Sequence, residues 1–172
     1  MLSRLSAISI LLIVLLAGCG AASIEEVLEN DISHLEILNE IETKHGNVVF
    51  YKTESPSETY GARLIKANGK KWDMLLGSEI PATGEAENIA WAFQSSEDEP
   101  TFYYGLVKNE EIKRLTINET DAVIVSRERG YNLFYLLTPK RALSIQKNGE
   151  KGIQINGFSN EGELIYQRLS MK

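Results

Sequence analysis

Apolar residues recur along this chain with two different periods, and the change between them falls near residue 46. Ile24, Val27, Leu28, Ile32, Leu35, Leu38 and Ile41 recur at spacings of three and four, the stripe of an amphipathic helix. Ser23-Ile24-Glu25-Glu26 reads as a capping box in front of it, and His45-Gly46 supplies a stop. The pattern therefore predicts a helix over residues 23–45. From Asn47 onward the period drops to two. Strands are expected at Val48–Lys52, Tyr60–Ala67, Lys71–Leu76, Ile89–Gln94, Phe102–Val107, Ile112–Ile117, Ala122–Ser126, Leu133–Leu137, Ile153–Phe158 and Glu163–Leu169.

Turn chemistry separates these runs. Asn68-Gly69 between two apolar stretches is a strong hairpin signal. The segments VKNEEI, QKNGEKG and FSNEGEL are further turns, and residues 78–87 and 95–100 read as longer loops. There is no repeat of fixed period and no alternation of helix with strand, so a parallel nucleotide-binding sheet is not expected. The fold class is mainly β, α+β by content: an N-terminal amphipathic helix followed by an antiparallel β-sheet domain, sandwich-like or strongly curled. Trp72, Met74 and Leu76 are expected on one core-facing side, as are Ile89, Trp91 and Phe93, and Phe102, Tyr104 and Leu106.

The first twenty residues obey neither period. Arg4 is the only charge before Glu25, and Leu5 to Ala17 are apolar except for Ser6 and Ser9. That run has the length of a secretory h-region and is short for a membrane-spanning helix. It ends at Leu16-Ala17-Gly18-Cys19, which resembles the lipobox of bacterial lipoproteins. In that family the cysteine sulfur takes a diacylglycerol and the signal is cut just before it. The resemblance implies a signal peptide over 1–18, lipidation at Cys19, a short tether over 19–22, the helix over 23–45 and the β domain over 46–172. Two acyl chains on one residue suffice for stable anchoring. The expected address is the extracytoplasmic face of a cell membrane, on a lipid anchor.

Charge refines that picture. Without residues 1–18 the 172-residue chain keeps 154, a single domain's worth, with 24 acids and 17 bases. Glu25, Glu26, Glu29, Asp31, Glu36, Glu40 and Glu42 face only Lys44 within residues 24–45, whereas the rest is nearly balanced. No basic stripe is available to neutralise phosphates, so nucleic acid is not an expected partner. Cys19 is the only cysteine, so no internal disulfide forms.

The segment Tyr103–Ile117 (YYGLVKNEEIKRLTI), with AVIV, NLFYLL and the closing GFSNEGELIY after it, looks like the uncharacterised small lipoproteins of Bacillus-type bacteria. Gly105-Leu106-Val107, Ile112, Leu115, Ile117 and Asn160-Glu161-Gly162 carry the resemblance, with HGNVVFYKT and GKKWDMLLG alongside. It implies architecture and address, since that group carries no assigned activity.

The search for chemistry finds little. His34 and His45 lie eleven residues apart, not at the i, i+4 spacing of a zinc-binding helix. No G-x-S-x-G elbow, Walker loop or G-x-G-x-x-G is present, and the β region holds no histidine to serve as a base. Glu97-Asp98-Glu99 reads as a solvated loop without a calcium-loop pattern, and Asn118-Glu119-Thr120 as a chance glycosylation triplet. No catalytic residues, metal or cofactor are expected. Arg127, Arg129 and Tyr131 cluster at a turn, a combination enriched at binding hot spots, and form a candidate recognition face. The sequence thus points to a non-enzymatic module that binds a protein or other envelope component. A small-ligand or solute-sensing lipoprotein and a carboxylate-dependent hydrolase are the alternatives.

Overall fold

The computed structural model describes residues 23–54, 58–81, 88–127, 130–139, 145–147 and 150–171. Ser23 caps helix α1 (Ile24–Glu29) through the capping box that the sequence announces. Its Oγ accepts from the Glu26 amide at 3.1 Å, and its own amide donates to Glu26 Oε2 at 3.1 Å. The helix ends at Glu29, far short of the expected end at His45. The next residues, Asn30, Asp31, Ser33 and His34, have side chains that compete for backbone hydrogen bonds and favour turns over helix. His34 completes the turn in the left-handed region at φ 56°.

Beyond this turn the chain becomes extended. Strands β1 (Leu35–Thr43), β2 (Gly46–Thr53), β3 (Thr59–Asn68) and β4 (Lys71–Leu76) form a four-stranded antiparallel sheet in chain order. The predicted helix over 23–45 is corrected to one short helix and an edge strand. The misreading has a physical cause. β1 carries a bulge: Ile37 pairs with Tyr51 and Asn39 with Phe50, leaving Leu38 as an extra residue. An extra residue reverses the side-chain phase, so apolar residues at 35, 38 and 41 imitate a helical spacing of three. Leu35 and Ile37 pack with the helix, while Leu38 and Ile41 pack into the space between the sheets.

The second sheet contains β5 (Ile89–Gln94), β6 (Thr101–Val107), β7 (Arg114–Ile117), β8 (Thr120–Val125), β9 (Asn132–Thr138), β10 (Ile145–Lys147), β11 (Glu150–Phe158) and β12 (Leu164–Met171). Its order is β10-β11-β7-β8-β9-β6-β5, with β12 also pairing with β11. This sheet curls strongly into a half-barrel, and the protein is mainly β, as the alternation predicts. In this sheet, β10 is the strand that the alternation missed.

Three apolar layers result. Between the sheets lie Val48, Phe50, Ala62, Leu64, Leu76, Phe102, Tyr104, Leu106 and Leu133. Inside the half-barrel lie Tyr103, Val107, Ile112, Leu115, Ile117, Phe134, Ile153 and Ile155, with Trp91 and Phe93 against them. On the outer face of the four-stranded sheet, Ile24 and Leu28 of α1 pack with Val49 and Ile65, flanked by Trp72. All seven residues of β6 are buried, because its two faces serve two different cores. Of the expected core faces, Phe102, Tyr104 and Leu106 stand together. The triplet Trp72, Met74 and Leu76 does not. A second bulge at Leu75 turns Leu76 to the core between the sheets and leaves Met74 exposed.

Candidate functional site

Alternation along the strands decides which side chains reach the two open ends of the sandwich. On β3, Tyr60 is in step with Ala62 and Leu64. Before β9, Tyr131 is in step with Leu133, and beyond β6, Lys108 is in step with Leu106. All three therefore project from the faces that enclose the core between the sheets, at the same mouth. The rings of Tyr60 and Tyr131 meet there, with centroids 6.2 Å apart and planes inclined at 60°, a tilted contact that bridges the two sheets. Lys108 Nζ lies 5.8 Å from the centre of the Tyr131 ring, within the range of a cation–π contact. Tyr131 stays 41% exposed, so the rings close the mouth while one of them still presents a face to solvent.

The loop that carries Tyr131 is held from within. The Arg127 amide donates to Asn132 Oδ1 at 3.2 Å. Gly130 adopts φ 80°, in the left-handed region that glycine enters without strain, and the Arg127 guanidinium lies beside it. On the facing sheet, the Tyr60 hydroxyl donates to Glu58 Oε1 at 2.9 Å. Burial and that hydrogen bond raise the Tyr60 pKa above the ordinary phenol value, against the nearby cations Lys52 and Arg127. Lys52 sits beside Glu36, Glu54 and Glu58 at 3.0, 3.3 and 4.0 Å. Its hydrogen bonds to Glu36 and Glu54 raise its pKa. The mouth therefore has an acidic lip on the four-stranded sheet and a cationic lip, Lys108 and Arg127, on the half-barrel.

Of the residues the sequence singled out, Arg127 and Tyr131 both lie near Tyr60 at this mouth; Arg129 lies outside the described residues, as does Cys19. Tyr60, Lys52 and Lys108 were not among the sequence candidates. Their only signal was position, each at or just beyond the end of an alternating run, and no single-sequence pattern states which ends meet in space.

The remaining candidates are dispersed. His34 precedes β1 and His45 occupies the turn after it, so the two sit at opposite ends of a nine-residue strand. Both were expected in or at the end of a helix and are corrected to turns. Asn118 and Glu119, both in the left-handed region at φ 45° and 69°, form the two-residue turn between β7 and β8. Among the described residues there is no group of three His, Cys, Asp or Glu placed to hold a metal ion. No described helix is long and apolar enough to cross a membrane. No protein-family model matches the chain, and neither the curated proteins nor the solved structures include a significant match.

Proposed function

We propose that this protein is a lipid-anchored, extracytoplasmic lipoprotein whose β domain is a non-enzymatic module that binds a protein or other component of the cell envelope. The observation that carries the binding role is the exposed Tyr131, braced by Tyr60 and flanked by Lys108 and Arg127 at the mouth of the sandwich. Tyrosine concentrates binding energy because its ring buries a large area with little loss of rotamer freedom and keeps a polar tip, and arginine because its planar guanidinium presents several fixed donors. The pairing of acidic and cationic lips supports recognition of a surface with the complementary division of charge. The anchor rests on the short h-region and the Leu16-Ala17-Gly18-Cys19 motif. Only Gly20, Ala21 and Ala22 separate Cys19 from Ser23, and four Cα–Cα steps reach at most about 14 Å. The domain would then work beside the bilayer.

Two measurements test the proposal. Intact mass of the protein extracted from its native membrane should match residues 19–172 plus acyl chains, and Cys19→Ala should abolish both the added mass and membrane retention. Crosslinked capture from intact cells should enrich a specific envelope component. The Arg127→Ala/Tyr131→Ala double variant should reduce that capture at least about tenfold, the equivalent of one hot-spot contact. Undiminished capture by the double variant would remove this face from the proposal.

A further inference from the structure

The opposite mouth of the sandwich is built differently. Pro100 is in step with Phe102 on β6, Pro139 with Leu137 on β9, and Lys66 with Leu64 on β3, so each extends a face of the core between the sheets by one step. No aromatic pair plugs this end among the described residues. There is instead an open cleft of about 400 Å³, lined by Lys44, His45, Lys66, Asp98, Glu99, Pro100 and Pro139. That volume lies in the range of pockets for small molecules.

Its charges are sorted by wall. Lys44 and His45 come from the turn between β1 and β2 and Lys66 from β3, so the four-stranded sheet supplies the cations. Asp98 and Glu99 come from the connection between β5 and β6, so the half-barrel supplies the carboxylates. The described ion pairs all lie elsewhere, at Lys52, Arg63 and Arg114. Opposite charges thus face one another across the cleft without closing on it. The far wall is fixed in place. Thr101 and Thr138 form the last pair of the β6–β9 ladder, and prolines flank it on both strands. Lacking an N–H and locked in φ, they cannot extend the pairing.

We infer that this cleft is a binding site for a small zwitterion, a molecule of amino-acid to short-peptide size. Its carboxylate would pair with Lys44 and Lys66 and its ammonium with Asp98 and Glu99, over the apolar faces of the two prolines. A ligand with both charges satisfies both walls at once, whereas one with a single charge leaves the other wall unpaired. The inference is independent of the Tyr131 face, which lies at the other end of the molecule.

Calorimetric titration of the full chain in detergent micelles, at low salt, tests it with 6-aminohexanoate as the zwitterion and hexylamine and hexanoate as singly charged controls. The zwitterion should bind at least about tenfold more tightly than either control. Lys44→Ala/Lys66→Ala should reduce it to the level of hexylamine, and Asp98→Asn/Glu99→Gln to the level of hexanoate, with unchanged thermal midpoints because these side chains lie at the surface. Arg127→Ala/Tyr131→Ala should bind as the parent does, which separates failure here from failure of the envelope-binding proposal. Free alanine against trialanine then distinguishes an amino-acid source from a peptide source. Equal binding of the three probes, no heat at millimolar zwitterion, or full binding by both cleft variants would overturn the inference.

Discussion

Gly105 sits in the middle of β6, where both faces of the strand are occupied. A Cβ at this position would collide with the Ala90 carbonyl oxygen and lie 2.6 Å from Cε1 of Phe134. The first obstacle is backbone and the second a fully buried ring, so neither yields cheaply. Gly105→Ala should lower stability by about 3 kcal/mol, at the upper end of the usual cost of overpacking, as measured by urea unfolding. Tyr51 is the other residue with a sharp consequence. Its ring is buried over Gly61 with the Arg63 guanidinium 5.8 Å away, and burial pushes its pKa up to about 12. In the unfolded chain the phenol ionises near its ordinary value of about 10. Its stabilising contribution is therefore complete below about pH 10 and is lost as pH rises toward about 12. Unfolding at about pH 9 and about pH 11 should show that loss, and Tyr51→Phe should reduce it. Burial also raises Tyr103 and Tyr135, so the variant keeps part of the slope. At this scale the sequence was most legible where one residue type meets one geometric need, as in the Ser23 capping box. It was least legible at Asn118-Glu119. A turn with two left-handed residues usually advertises itself with glycine. Here Asn118 is held instead by contacts 36 residues away: its amide donates to the Gln154 carbonyl oxygen at 2.8 Å, and its Oδ1 accepts from the Gln154 amide at 2.6 Å.

Among the elements, α1 depends most on its neighbours. Six residues form too short a helix to be stable alone in water, so it persists because Ile24 and Leu28 are buried on Val49 and Ile65. The Asp31–Arg63 ion pair at 3.5 Å adds little where it is half exposed. Leu28→Ala should cost about 3 kcal/mol, within the range for a fully buried leucine, and should speed amide exchange along β1 more than along β6. β1 is the edge of its sheet, and its exposed Glu36, Glu40 and Glu42 guard it against pairing with another chain. The acids that the sequence assigned to a solvated helix face thus serve a solvated strand edge. Most other strands were legible to within a residue or two. The β3–β4 turn falls at Gly69-Lys70 rather than Asn68-Gly69, because Asn68 is itself paired, with Lys71. The bulge at Leu38 disguised a strand as a helix, whereas the one at Leu75 left β4 with its expected bounds, Lys71–Leu76, and changed only the face that Leu76 takes.

Over the whole molecule, β6 couples the two larger layers, while β2 and β3 join the helix layer to the core between the sheets through Val48–Val49 and Leu64–Ile65. The core between the sheets and the core inside the half-barrel share its backbone, so neither survives loss of the other. The two tryptophans test this from opposite sides, since Trp72 packs in the helix layer and Trp91 in the half-barrel. Variants with one tryptophan each, Trp72→Phe and Trp91→Phe, should give fluorescence transitions in urea that coincide with each other's circular dichroism. Separate midpoints would show that the layers unfold independently. Strand order and the convergence of loop ends were not legible in the sequence, because alternation records which face a residue takes and not which strand lies beside it. Tyr131 and Arg127 were visible as a cluster in one loop. The cleft at the other mouth was not, since its walls come from four separated segments of chain.

The bulges also bear on descent. Removing one residue from inside a strand ordinarily turns every side chain on one side of the cut to the wrong face. At Leu38, Leu75 and Ile165 it does not, because the residues on either side already pair with consecutive partners across the ladder. Chains of common ancestry can therefore differ in length within a strand at these three places and keep the same fold. A gap of one residue in the middle of β1, β4 or β12, placed at these positions, is compatible with kinship and no reason to reject it.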